Sequence, residues 1–135
     1  MEILVVENEK NQRRLLSVLL SGRMLRLAKA PVVREAGSIE EAKAILAISR
    51  PDLILLDWQL DDGTGADLID WIREQAGDPP PVLVLTACAQ AAEIAQISST
   101  LQALRGKIVL KPFEPRDLVP GIVALLGAVS VNPAS

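Results

Sequence analysis

Carboxylates close two of the chain's apolar runs. The stretch "LILLD" (53–57) ends in Asp57 and passes into the acidic, turn-rich "WQLDDGTG" (58–65). Near the start, "ILVV" (3–6) passes directly into Glu7, Asn8 and Glu9. A third run, "PVLVLT", ends in Thr86, and a fourth, "KIVLK", ends in Lys111. Acids, a hydroxyl and a lysine together suit phosphoryl chemistry. The acids can hold Mg²⁺ through hard oxygen ligands. One carboxylate can accept the phosphoryl group as a nucleophile. Thr86 and Lys111 can then hydrogen-bond and neutralise its oxygens. Asn8 is out of keeping with this set, because a neutral amide stands where a carboxylate would hold a cation more strongly.

These groups meet only if the runs that carry them are neighbouring strands. Five short runs, "ILVV", "PVVREA", "DLILLD", "PVLVLT" and "KIVLK", are strand-length and rich in β-branched residues, with helical periodicity between them. After Glu9, Leu15, Leu16, Val18, Leu19 and Leu20 mark a buried helix face, with Arg13 and Arg14 left in water. Gly22 is placed to stop this helix, and "RMLRLAKA" after it is open between a helical extension and a loop. Ser38 with Glu41 forms a capping box for the helix "IEEAKAILAIS", which Pro51 closes. Asp67 to Gln75 predicts a third helix with Leu68, Ile69 and Ile72 on one side. "AQAAEIAQISSTLQAL" predicts a fourth. "PRDLVPGIVALLG" predicts a fifth, begun by Pro115 and kinked or loosened by Pro120. Strand and helix thus alternate five times, which predicts a parallel sheet with helices on both faces and right-handed crossovers. Functional groups then gather beyond the carboxyl ends of the strands.

Composition agrees and excludes other classes. The chain's 135 residues suit one domain, and half of them are hydrophobic. Trp58, Trp71 and Phe113 are the only aromatics, so the core must be aliphatic, as in buried parallel sheets. A net charge of −3 without long runs of one sign offers no footprint for nucleic acid or an acidic membrane. The first apolar run is too short for a signal peptide, and no stretch reaches the roughly 20 apolar residues of a membrane span. The single cysteine, Cys88, excludes an internal disulfide and fits a reducing cytosol. The chain has no histidine, so imidazole chemistry is absent from it. The small, polar segment 128–135 reads as a tail or linker stub after a domain at 1–127.

The motifs "ILVVENE", "PDLILLDWQLDDGTG", "VLVLTA" and "LKPF", in this order and at these distances, resemble the receiver domain of two-component response regulators, the family that includes chemotaxis regulators. The resemblance runs across nearly all of the chain, and Gly65, eight residues after Asp57, stands where that family usually has glycine. It implies a flavodoxin-like (βα)5 three-layer sandwich with strand order 2-1-3-4-5. It implies that Asp57 is the phosphoacceptor, receiving phosphate from a phosphohistidine on a histidine kinase or histidine phosphotransfer protein. Glu7 and Asn8 fall at the family's acidic metal-binding pair, and the carbonyl of Gln59 would complete the protein's hold on Mg²⁺. Thr86 and the backbone N–H of Ala87 would bind the phosphate, and Lys111, followed by a cis bond to Pro112, would pair with it. Such a domain is no enzyme beyond accepting a phosphoryl group from a donor and losing it again. It is cytoplasmic, binds neither nucleic acid nor membrane itself, and presents its fourth helix, fifth strand and fifth helix to an output domain, a downstream protein or a second copy.

Three residues depart from the family pattern. Asn8 predicts weaker Mg²⁺ binding. Asp61 replaces a usual proline and predicts a more mobile or differently shaped loop after Asp57. Ile108, three residues before Lys111, replaces a usual Tyr or Phe that moves with Thr86, and predicts a quieter or differently read output surface on the fourth helix, fifth strand and fifth helix. The rival reading is a pseudo-receiver, the same fold kept as a phosphate-independent interaction module. "LDDGT" is similar to the phosphatase motif of haloacid dehalogenase-like enzymes, but Leu60 occupies its nucleophile position. A nucleotide-binding enzyme is disfavoured because no Gly-rich loop follows a strand. Trp58 is expected to be a partly exposed neighbour of the site, Trp71 to pack its helix on the sheet, and Cys88 to be a small residue at the pocket rim.

Overall fold

The computed structural model describes residues 1–21, 30–75, 77–87, 90–102 and 104–127. The element order is β1 (Glu2–Val6), α1 (Lys10–Ser21), β2 (Val32–Ala36), α2 (Ile39–Ile48), β3 (Leu53–Asp57), β4 (Gln59–Leu60), β5 (Gly63–Thr64), α3 (Gly65–Glu74), β6 (Val82–Thr86), α4 (Ala91–Leu101), β7 (Gly106–Leu110) and α5 (Pro115–Leu126). The main sheet is wholly parallel in the order β2-β1-β3-β6-β7. This is the predicted flavodoxin-like order, with a two-stranded hairpin, β4-β5, inserted after β3. Gly22, Cys88 and the tail 128–135 lie outside the described residues, as does nearly all of "RMLRLAKA".

The strands β3 and β6 are buried along their whole length, and β1 from Ile3 onward. Each therefore reads as a continuous apolar run, because helices cover both faces of the sheet. Ile3, Val5, Leu53, Leu55, Leu83 and Leu85 face α1 and α5. Leu4, Val6, Ile54, Leu56, Val82 and Val84 face α2, α3 and α4. Because all five strands run the same way, Glu7, Asp57, Thr86 and Lys111 arrive together at one edge.

Some helices differ from expectation. In α1 only Leu16 and Leu20 are buried, while Leu15 and Val18 are 65% and 62% exposed. The predicted face from Leu15 to Leu20 covers about 200° of a helix with 3.6 residues per turn, and the sheet covers only part of that arc. Helix α3 starts two residues before the predicted Asp67, and α4 starts two residues after the predicted Ala89. Helix α5 runs through Pro120, which lies on its exposed side. Ser38 caps α2 by accepting from the Glu41 N–H at 3.1 Å, but Glu41 reaches past the cap to the N–H of Gly37 at 3.2 Å, so only half of the capping box forms. Among the described residues, no helix is long and apolar enough to cross a membrane.

Candidate functional site

Three polar side chains lie inside the carboxyl edge of the sheet: Glu7 is 2% exposed, Asp57 6% and Thr86 0%. Lys111 Nζ stands between the two acids, 3.5 Å from Glu7 Oε1 and 3.4 Å from Asp57 Oδ1. Main-chain bonds lock the strand ends that carry them. The Lys111 N–H donates to the Thr86 carbonyl at 2.8 Å, the Trp58 N–H to Leu85 at 2.9 Å, and the Glu7 N–H to Ala36 at 3.0 Å. The Lys111–Pro112 bond is cis, as the resemblance implied. The Gln59 N–H donates to Asp57 Oδ1 at 3.3 Å, which holds the loop's first turn against the carboxylate. Ala87 is exposed just beyond Thr86.

The site has more buried negative charge than Lys111 can neutralise. Burial pushes the Glu7 carboxyl up from 4.5 to about 8, the neighbouring Asp57 adds to the rise, and Lys111 opposes it. Glu7 Oε2 is buried and has no hydrogen-bond partner among the described residues. An orphaned buried carboxylate oxygen beside a second carboxylate is the environment that a hard divalent cation relieves. The residues present therefore fit Mg²⁺: the carboxylates of Glu7 and Asp57, the side-chain amide oxygen of Asn8 and the main-chain carbonyl of Gln59. Among the described residues no group of three or more Asp, Glu, Cys or His side chains converges as metal ligands. Only the two buried carboxylates would then supply full charge.

This arrangement sets a pH dependence. A carboxyl with a raised folded pKa takes up a proton on folding, so the metal-free fold loses stability as pH rises from 4.5 to about 8. A cation must displace that proton. Mg²⁺ affinity is therefore expected to rise about tenfold per pH unit below that midpoint and to level off above it. Melting curves with and without Mg²⁺ across this range check it: the Mg²⁺-induced rise in Tm should grow with pH.

Several neighbours have roles that sequence reasoning missed or misplaced. Glu9 does not join the acids. It is exposed and caps α1, accepting from the N–H of Asn11 at 3.2 Å and of Gln12 at 2.8 Å. Arg13 is not left in water. Its Nη1 donates to the Glu7 carbonyl at 2.7 Å and its Nε pairs with Glu35 at 3.2 Å, so it fixes the backbone of a site residue. Trp58 is buried (3% exposed), not partly exposed. Its ring lies on Gly65, where a Cβ would meet Trp58 Cε3 at 2.5 Å. That close approach is the reason for glycine at this position. Trp71 is half-buried against the core and also lines a cavity of about 350 Å³ with Arg50, Pro51 and Pro79, at the opposite end of the sheet from the site.

The loop after Asp57 forms a two-stranded hairpin with Asp61 and Asp62 at its turn. Gln59 and Leu60 pair with Thr64 and Gly63. Asp62 reaches α2 and accepts from the N–H groups of Ile39 at 3.0 Å and Glu40 at 3.2 Å. The bond from Ile39, followed by that from Glu40, holds its carboxyl below the ordinary aspartate range. Asp61 accepts from Asn8 Nδ2 at 3.2 Å. Ile108 is half-buried against the core and pairs with Val84, whereas the strand partner of Thr86 is Leu110, 47% exposed at the edge of the sheet.

The chain matches the family profile of the response regulator receiver domain across residues 3–122. It is 31% identical over 125 residues to the phosphate regulon transcriptional regulatory protein PhoB of Pseudomonas aeruginosa, covering 92% of this chain and 51% of that protein. It is 33% identical over 129 residues to PhoB of Escherichia coli, covering 95% and 52%. The chain thus spans about half the length of these curated relatives. Among solved structures, a putative response regulator from Chloroflexus aurantiacus superposes with a TM-score of 0.75 at 28% identity, over 93% of this chain and 97% of that one.

Proposed function

The chain belongs to the response regulator receiver domain family, and from that premise we propose that it accepts a phosphoryl group on Asp57 and acts as a Mg²⁺-dependent signalling switch. The observation that carries this reading is the Lys111 ammonium shared by two buried acids, one of which keeps an orphaned oxygen. The donor is a phosphohistidine on a histidine kinase or histidine phosphotransfer protein. An Asp57 oxygen attacks phosphorus, the P–N bond breaks, and the imidazole leaves with its electron pair and takes a proton. Lys111 offers its N–H groups to the transferred oxygens, and Thr86 with the Ala87 N–H binds them from the β6 end. Glu7, Asp57, the Asn8 amide oxygen and the Gln59 carbonyl would hold Mg²⁺, which would supply positive charge to offset the negative charge developing on the phosphoryl group. Autodephosphorylation is the only other reaction of the domain.

Phosphate on Asp57 draws Thr86, and the edge made by Ile108 and Leu110 carries the change to the surface of α4, β7 and α5. That surface serves an output domain, a downstream protein or a second copy, in the cytoplasm, without direct contact to nucleic acid or membrane. The competing reading is a phosphate-independent pseudo-receiver, favoured by Asn8, Asp61 and Ile108. A Mg²⁺ titration followed by tryptophan fluorescence separates the two, since Trp58 directly follows Asp57. A saturable response at millimolar metal is expected; none at any Mg²⁺ concentration would support the interaction module.

A further inference from the structure

We propose that Asp61 supplies, through Asn8, the charge that Asn8 itself lacks, so that the cation site is completed by a carboxylate–amide relay. This rests on the function proposed above. The departures at positions 8 and 61 are not independent, because the two side chains are bonded to each other: Asn8 Nδ2 donates to Asp61 Oδ1 at 3.2 Å, across 53 residues of sequence.

An ionised carboxylate can only accept. Asp61 therefore fixes which way the Asn8 amide is turned, with Nδ2 toward the hairpin and Oδ1 away from it. A charge-assisted bond to the N–H₂ group also draws electron density onto the amide oxygen, which makes it a better ligand for a hard cation. Carboxylates that hold a metal-binding histidine act in the same way, setting its orientation and raising its basicity. Asp61 is thus a positioning residue and not itself a ligand, in keeping with the lack of a three-carboxylate cluster among the described residues. The orphaned, buried Glu7 Oε2 on the residue before Asn8 independently marks where a ligand belongs.

The hairpin is built to keep Asp61 in place. Asp62 anchors it on two N–H groups of α2. Gly63, with φ of 150°, closes it where a Cβ would lie 2.5 Å from Asp67 Oδ2 and 2.8 Å from Ile39 Cδ1. A proline at position 61 would remove the carboxylate.

MgCl₂ titrations followed by ¹H–¹⁵N NMR test this in the unmodified chain, Asp61→Asn, Asn8→Asp and the double variant. The Asn8 side-chain N–H₂ signals report the relay directly, independent of any phosphorylation. In Asp61→Asn those signals should shift and Mg²⁺ should bind about tenfold more weakly. With Asn8→Asp there is no amide to polarise, and Asp61 faces a like charge, so adding Asp61→Asn should leave affinity unchanged or tighten it. Equal weakening by Asp61→Asn in both backgrounds would mean simple through-space attraction and would overturn the relay. So would unchanged affinity in Asp61→Asn beside a saturable response in the unmodified chain. If the unmodified chain shows no saturable Mg²⁺ response, the proposed function fails and takes the relay with it.

Discussion

Glu7→Gln is expected to stabilise the metal-free chain and to cut its acceptance of phosphate sharply. Both effects come from one feature. Glu7 is 2% exposed, its Oε2 has no partner among the described residues, and its carboxyl titrates at about 8 instead of 4.5. Folding at neutral pH therefore draws a proton onto Glu7, at a cost on the order of 3 kcal/mol. Glutamine keeps the shape, removes the proton requirement and can donate an N–H to Asp57. Loss of the contact to Lys111 offsets part of the gain, leaving roughly 1–3 kcal/mol and a rise in Tm of several degrees. The same change deletes one of two buried carboxylates that a divalent cation would need, so Mg²⁺-dependent phosphorylation of Asp57 should fall by about two orders of magnitude or more. Thermal melts at neutral pH and phosphorylation assays with a small acyl phosphate check both parts. A lower Tm for Glu7→Gln would mean that the ionised Glu7–Lys111 pair is a net stabiliser, contrary to the charge imbalance described here.

Lys111→Ala should cost both stability and transfer. Among the described residues, Lys111 Nζ is the cation within 4 Å of both Glu7 and Asp57. With Glu7 already holding a proton at neutral pH, removing the ammonium leaves the buried Asp57 carboxylate without its counter-charge. Removing one partner of a buried charge set leaves the rest uncompensated. Because Lys111 is 19% exposed and water can enter behind it, the loss is placed on the order of 1–3 kcal/mol. Mg²⁺ should recover more Tm in this variant than in the unmodified chain, since it replaces the missing charge. Phosphoryl transfer should still fall by about 10²-fold, because no ammonium then meets the oxygens of the phosphoryl group. Melts with and without Mg²⁺, alongside the initial rate of labelling, separate the two losses.

The parallel sheet was legible because its strands are apolar runs between proline, glycine and polar residues. Once they are parallel, the convergence of Asp57, Thr86, Lys111 and Glu7 follows from topology. What was not legible lies in short-range choices among polar groups. Glu9 follows Asn8 by one residue, yet the free N–H groups of Asn11 and Gln12 claim it as a helix cap. Arg13 looks like a solvated helix charge until β2 brings Glu35 beside it. Trp58 carries no sign of burial on its own; the signal was Gly65, whose missing side chain makes room for the ring. The hairpin after Asp57 was signalled only as a departure at Asp61, and its anchors, Asn8 and the start of α2, are far away in sequence.

The most direct measurement is the intact mass of the chain after incubation with Mg²⁺ and a small acyl phosphate, taken in parallel for Asp57→Ala. The unmodified chain should gain the mass of one phosphoryl group, only when Mg²⁺ is present, and Asp57→Ala should gain none. No added mass on the unmodified chain, or equal labelling of Asp57→Ala, would contradict Asp57 as the phosphoacceptor.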